Sequence, residues 1–252
     1  MDIQTLKKIL QENGVVGAGG AGFPTYAKLD ERAGIILMNC AECEPLLKLH
    51  RQLLTQHTEE ILRAFDLIAQ TVGAREAIIG IKEEYRTALE ALHRHIDAYS
   101  NMRIHLLPGA YPMGDEVVLI YEATGRVIRP GGLPIEEGVA VFNVETIYNV
   151  YCALEKQEPV TDKLVTVVGE VERPVTVRVP LGASIARTVA CAGELLVQEP
   201  GYLVGGPMMG NLCEADDVVT KTTNAIIVLD KAHSLVQKKN HNTAIDLKRA
   251  AS

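Results

Sequence analysis

Apolar residues recur at helical spacing from Ile3 to Gln11, and Asn13 with Gly14 then supplies the turn chemistry that stops a helix. A glycine-rich stretch, Gly17 to Gly22, follows. The run Gly34 to Asn39 (GIILMN) reads as a buried strand. Glu44 to Val72 sets Leu46, Leu47, Leu53, Leu54, Ile61, Leu62, Phe65 and Ile68 at the spacing of one long amphipathic helix. Downstream, Ala77 to Ile81 is a short strand, Glu83 to Tyr99 a helix and Met102 to Leu107 another strand. This alternation predicts an α/β, Rossmann-like domain with a mostly parallel sheet over residues 1–160.

Near Pro159 the pattern changes. Lys163 to Val171 and Pro174 to Val179 are β-rich segments joined by Glu172 and Arg173. Ala183 to Ala192 is a compact helix, Tyr202 to Val204 is strand-like, and Ala225 to Leu229 is a further apolar stretch. Strands around a single helix in so short a span predict a small β-grasp module over residues 161–230. Residues 231–252 read as a polar tail.

Composition narrows the function classes. A chain of 252 residues with 47% hydrophobic content can bury a substantial core. Its net charge of −7 repels polyanions, which argues against nucleic acid as a main partner. No apolar run approaches the roughly 20 residues of a spanning helix, and MDIQTLKKIL lacks the layout of a signal peptide, so a cytoplasmic protein is expected. The five cysteines are Cys40, Cys43, Cys152, Cys191 and Cys213, an odd set that fits reduced thiols. Cys40 and Cys43 form one CxxC with no second pair to complete a zinc site, so no metal is expected and free thiols are preferred to a redox or metal role.

Gly17, Gly19 and Gly22 satisfy GxGxxG, with Pro24 placed to open a helix. Backbone amides in such a loop can face a phosphate, although only Val15 and Val16 precede the glycines where a dinucleotide fingerprint wants a full strand. Glu42, about 20 residues on, could serve as that fingerprint's acid. Glu42, Glu44, Asp115 and Glu116 all stand where a strand or glycine loop gives way to a helix, the usual edge of an α/β crevice. Each of these acids also has a plain reading as a solvated residue favoured by a helix N-terminus. Asn143, Glu145 and Thr146 open a helix through Leu154, with Asn143 a natural N-cap.

Four stretches occur in order: GAGGAGFPTYAKL (Gly17 to Leu29), NCAECEP (Asn39 to Pro45), GAYPMGDE (Gly109 to Glu116) and NVETIYNV (Asn143 to Val150). With them the chain resembles the flavoprotein family that contains the C subunit of the Rnf complex, the cobalamin reductase of propanediol microcompartments and the NADH-oxidising subunit of respiratory complex I. GGPMMG (Gly205 to Gly210) and KTTNAIIVL (Lys221 to Leu229) resemble the Rnf and microcompartment branch more. The resemblance implies FMN as cofactor and NADH as substrate. Gly17, Gly19, Gly20 and Lys28 would contact flavin and phosphate, Asn39, Glu42 and Asp115 the flavin, and Asn143 and Thr146 the FMN phosphate region. Phe23, Glu44 and Glu116 would contact the nicotinamide nucleotide, Glu116 serving the flavin cofactor as well. Ala41 and Cys43 depart from the complex I pattern, as does Asp115, which stands where complex I has glutamate.

Hydride transfer between two rings needs alignment and exclusion of water, so no proton-transfer residue is assigned. The β-grasp segment is similar to the soluble-ligand-binding (SLBB-like) module of the family. Relatives carry clustered cysteines after the region of Leu229. None occurs here before Ser252, so 4Fe-4S clusters are expected only in a segment absent from this chain. The implied partner is an electron-acceptor protein or a cobalamin-related partner, in the cytoplasm, in a microcompartment or at the periphery of a membrane complex. Two other readings stay open: a Rossmann-type NAD-dependent oxidoreductase without flavin, and a non-enzymatic ligand- or partner-binding module.

Overall fold

The computed structural model describes residues 1–240; residues 241–252, part of the expected tail, lie outside the described residues. The chain divides into two compact units, one of residues 1–43 and 50–160, the other of residues 44–49 and 161 onward.

The first unit begins with α1 (Ile3–Glu12), whose N-cap Asp2 accepts from the Thr5 amide, and with a single turn, α2 (Thr25–Lys28). Its centre is a four-stranded sheet of β1 (Ile35–Asn39), β2 (Glu76–Lys82), β3 (Met102–Leu107) and β4 (Val139–Asn143), in the order β3-β2-β1-β4 and parallel throughout. Parallel strands covered on both faces read as unbroken apolar runs, which is why IILMN and VAVFN carry almost no polar residue. Ile35, Leu37, Ile78, Val139 and Val141 pack with Leu119, Ile120 and Ala123 of α6 (Glu116–Thr124). Between β1 and β2 run α3 (Leu49–Gln56) and α4 (Thr58–Val72), and α5 (Arg86–His93) joins β2 to β3. α4 lies against β1, β2 and α7 (Val144–Tyr151).

The single long helix expected over Glu44 to Val72 is two helices, starting later. Pro45 lacks an amide hydrogen and Leu46 takes a left-handed φ of 70°, so residues 44–48 do not wind into α3, and Glu44–Leu49 groups with the second unit. His57, at φ −130°, breaks the helix again. The helix expected over Glu83 to Tyr99 contracts to α5 and a 3-10 turn at Ile96–Ala98, and β4 is a strand the pattern did not single out.

The second unit is a mixed sheet of β5 (Asp162–Gly169), β6 (Val175–Pro180), β7 (Pro200–Val204), β8 (Asn211–Cys213) and β9 (Ala225–Asp230), ordered β6-β5-β9-β7-β8. Only β5 and β9 pair in parallel. With α8 (Ile185–Ala190), capped by Ser184, covering Val165, Val167, Ile226 and Val228, this is the hairpin, helix and central parallel pair of a β-grasp. Residues 234–240 are helical, with Val236 buried against Gly201, so the polar stretch expected from 231 is in part a packed element.

Candidate flavin cleft

β1 and β4 end together. Asn39 and Asn143 are register partners at the carboxyl edge of the sheet, and the strand order reverses between these two strands. Open parallel sheets form their ligand crevice at such a switch point. A cleft of about 590 Å³ lies here, within the roughly 300–1,000 Å³ of small-molecule sites. It is lined by the Gly17–Gly22 loop, Lys28, Asn39, Glu116 and the length of β4 into Thr146.

The glycine loop follows α1, and Val16 makes only an isolated bridge to Pro24. The loop is therefore not the strand-to-helix turn of a dinucleotide fingerprint, which removes the main support for the flavin-free Rossmann reading. Two bonds close the loop: Gly17 N donates to Phe23 O at 2.9 Å, and Ala18 N donates to Thr146 Oγ1 at 3.0 Å. A Cβ on Gly19 would come within 2.5 Å of Asn143 Nδ2, whereas one on Gly20 would meet nothing within 4 Å. Phe23 is half exposed at the rim.

Of the twelve expected site residues, Gly17, Gly19, Gly20, Phe23, Lys28, Asn39, Glu116, Asn143 and Thr146 line the cleft. Lys28 Nζ donates to Glu116 Oε1 and to Val141 O, both at 3.0 Å, so two of the expected site residues form one pair. Asn39 Nδ2 donates to Gly114 O at 2.9 Å and its Oδ1 accepts from Ala41 N, which pins the GAYPMGDE loop to the end of β1. Asn143 caps α7, its Oδ1 accepting from Glu145 N at 2.9 Å.

The other three are placed differently. Asp115 spends its carboxylate as the N-cap of α6, accepting from the Val117 and Val118 amides. Glu44 groups with the second unit, where it accepts from Met208 N at 2.9 Å and Met209 N at 2.7 Å. Glu42 is buried at the end of β1, its Oε1 4.0 Å from His50 Nδ1 and its Oε2 without a hydrogen-bond partner. Burial pushes its carboxyl up to about 7, against the opposing pull of Arg51 and Lys82. Tyr85 donates its hydroxyl to Glu42 O, and Arg51 lies over the Tyr85 ring.

Cys40 is buried and Cys43 half-buried, both as free thiols; Cys43 Sγ accepts from Gly114 N at 2.8 Å. Among the described residues no cluster of three or more His, Cys, Asp or Glu side chains could hold a metal ion, and no helix is long and apolar enough to cross a membrane. Sequence reasoning missed Thr25, whose Oγ1 is buried without a partner in the cleft wall, and His50 beneath Asn143. Thr25 stood within FPTYAKL; His50 carried no signal beyond its place in a helical pattern.

The family described as the Nuo51 FMN-binding domain matches residues 10–152, the span that holds every wall of the cleft. The chain belongs to this family. Among proteins similar to this chain, the cobalamin reductase PduS of Citrobacter freundii is 45% identical over 239 residues, 94% of this chain and 52% of the relative. The C subunit of the Na(+)-translocating ferredoxin:NAD(+) oxidoreductase complex of Acetobacterium woodii is 34% identical, over 92% of this chain and 54% of the relative. A solved NAD+-reducing NiFe-hydrogenase in the air-oxidized state superimposes with a TM-score of 0.77 at 27% identity, covering 92% of this chain and 47% of that one. The chain spans about half the length of the curated relatives it matches.

Proposed function

We propose that the first unit binds FMN in the β1–β4 cleft and oxidises NADH there, as the flavin-bearing part of an electron-transfer oxidoreductase. One observation supports this above the rest: an open glycine loop, the capped start of α7 and a lysine converge on the cleft within the segment that matches an FMN-binding family. The residues fit the group. Thr25 Oγ1 is a buried hydroxyl in want of a partner, Gly20 leaves open space beside the backbone, and Lys28 supplies positive charge. A phosphate group would find backbone amides and an ammonium there.

The cleft residues would hold FMN, which would supply a centre able to accept two electrons from a reduced nicotinamide and pass them on singly. The protein's own part is positional. Asn39 and Asn143 fix the two strand ends, the Ala18–Thr146 bond fixes the loop on α7, and the apolar wall of Val139, Val141, Leu133 and Ile135 excludes water. Glu116 holds Lys28 while being itself less than half exposed, a carboxylate placed to meet the hydroxyls of a nucleotide. The electrons would leave to a partner protein or to clusters outside this chain, as the names of the Rnf-type and cobalamin-reducing relatives suggest.

The decisive experiment is to add FMN to the purified protein, look for bound visible absorbance, and then add NADH. A bound yellow chromophore that bleaches is the expected result. A protein that ignores FMN yet binds NADH would return the flavin-free oxidoreductase reading, and one that binds neither would favour a ligand- or partner-binding module.

A further inference from the structure

Behind the cleft wall, three side chains from three elements are in line: Glu42 after β1, His50 on α3 and Asn143 at the end of β4. The polarity of the line is fixed at one end. The Glu145 amide can only donate, so the Asn143 atom it meets at 2.9 Å is the oxygen, and the amide nitrogen faces His50 Nε2 at 3.3 Å. An amide nitrogen carries only donors, so Nε2 must accept and the ring's proton sits on Nδ1, towards Glu42 Oε1. The same Asn143 nitrogen lies against Gly19 at the cleft surface and has a second hydrogen to give.

We propose that His50 is a positioning residue: as the neutral Nδ1–H tautomer it holds the Asn143 carboxamide so that one N–H is presented to an acceptor in the cleft, and protonation at Nε2 ends that presentation. Imidazolium offers N–H at both nitrogens, so Nε2–H would confront an amide N–H. Rotating the carboxamide relieves that clash only by turning its nitrogen onto the Glu145 amide, which sacrifices the α7 cap. Either response moves the donor. The charged groups around the pair are Arg51 on α3 and Lys82 at the end of β2, which favour ionised Glu42, and Glu145 on α7, which opposes it.

This rests on the flavin reading of the cleft, with FMN as the molecule whose acceptor Asn143 meets. The test compares FMN affinity of the wild type and His50→Gln from pH 5.5 to pH 8; a glutamine oxygen can accept from Asn143 in place of Nε2 and does not protonate. The phosphate of FMN titrates identically in both, so the ratio isolates the ring together with its neighbour Glu42. The ratio should be near one at pH 8, and the wild type should fall about tenfold behind at pH 5.5, the loss of one charge-assisted hydrogen bond. A ratio flat with pH overturns the proposal. Nitrogen chemical shifts of the His50 ring in the FMN-free protein give a second, independent readout: the Nδ1–H tautomer at pH 8 supports it, and the Nε2–H tautomer overturns it. If neither protein takes up FMN at any pH, the flavin reading falls, and the tautomer still decides whether His50 holds Asn143 as described.

Discussion

Lys28 and Glu116 are joined across the cleft, Nζ to Oε1 at 3.0 Å, with the Val141 carbonyl as a second acceptor for the same ammonium. Both side chains are roughly one-third to two-fifths exposed, so the pair adds little to stability, below about 1 kcal/mol. Its consequence is for ligands, because an anion entering the cleft competes with Glu116 for Lys28. In Glu116→Ala, FMN affinity should hold or tighten while the rate of bleaching by NADH falls. Stopped-flow reduction beside a flavin titration checks this, and an equal loss in both would remove Glu116 from the nucleotide's side.

The two central loop glycines should separate folding from binding. Gly20→Val adds a side chain where nothing stands within 4 Å, so its stability should stay within about 0.5 kcal/mol of wild type while FMN uptake drops. Gly19→Val drives Cβ into the Asn143 carboxamide and should cost about 1–3 kcal/mol as well as the flavin. Denaturant melts with and without FMN distinguish them; a Gly20 variant that binds FMN normally would take the loop out of the site.

What was legible in the sequence was what repeats locally. Buried parallel strands announce themselves as apolar runs, and GIILMN and Met102–Leu107 were found within a residue of their bounds. The glycine loop and Asn143 were legible because their chemistry is local, a free backbone and a cap. The fate of Glu44 was not: its periodicity with the following leucines looks helical, and only the left-handed turn at Leu46 and the pairing with amides some 164 residues away take it elsewhere. Lys28 and Glu116 were both found, but not their bond, because a contact spanning 88 residues leaves no trace in spacing.

Glu44 has a testable role of its own in the second unit. Its two amide bonds hold the Gly205–Gly210 turn, and Gly206 has no room for a side chain because a Cβ there would fall on the Glu44 carboxylate. Glu44→Ala should cost about 1–2 kcal/mol and raise hydrogen exchange at Met208 and Met209. Unchanged exchange at those two amides would show that the turn holds itself.

Glu42 gives the pH dependence. Its carboxyl sits at about 7 in the folded chain against an ordinary 4.5, because burial disfavours the ionised form. The folded state thus binds the proton more tightly than the unfolded one, so this group's contribution is most favourable below pH 4.5 and declines as pH rises towards 7. The full shift corresponds to at most about 3 kcal/mol. Glu42→Gln keeps an acceptor but cannot ionise, so it should gain on the wild type by up to about 3 kcal/mol on going from pH 4.5 to pH 8. Urea unfolding at the two pH values measures the difference. A gap that stays constant, or that narrows at high pH, would mean the carboxylate is already satisfied when ionised.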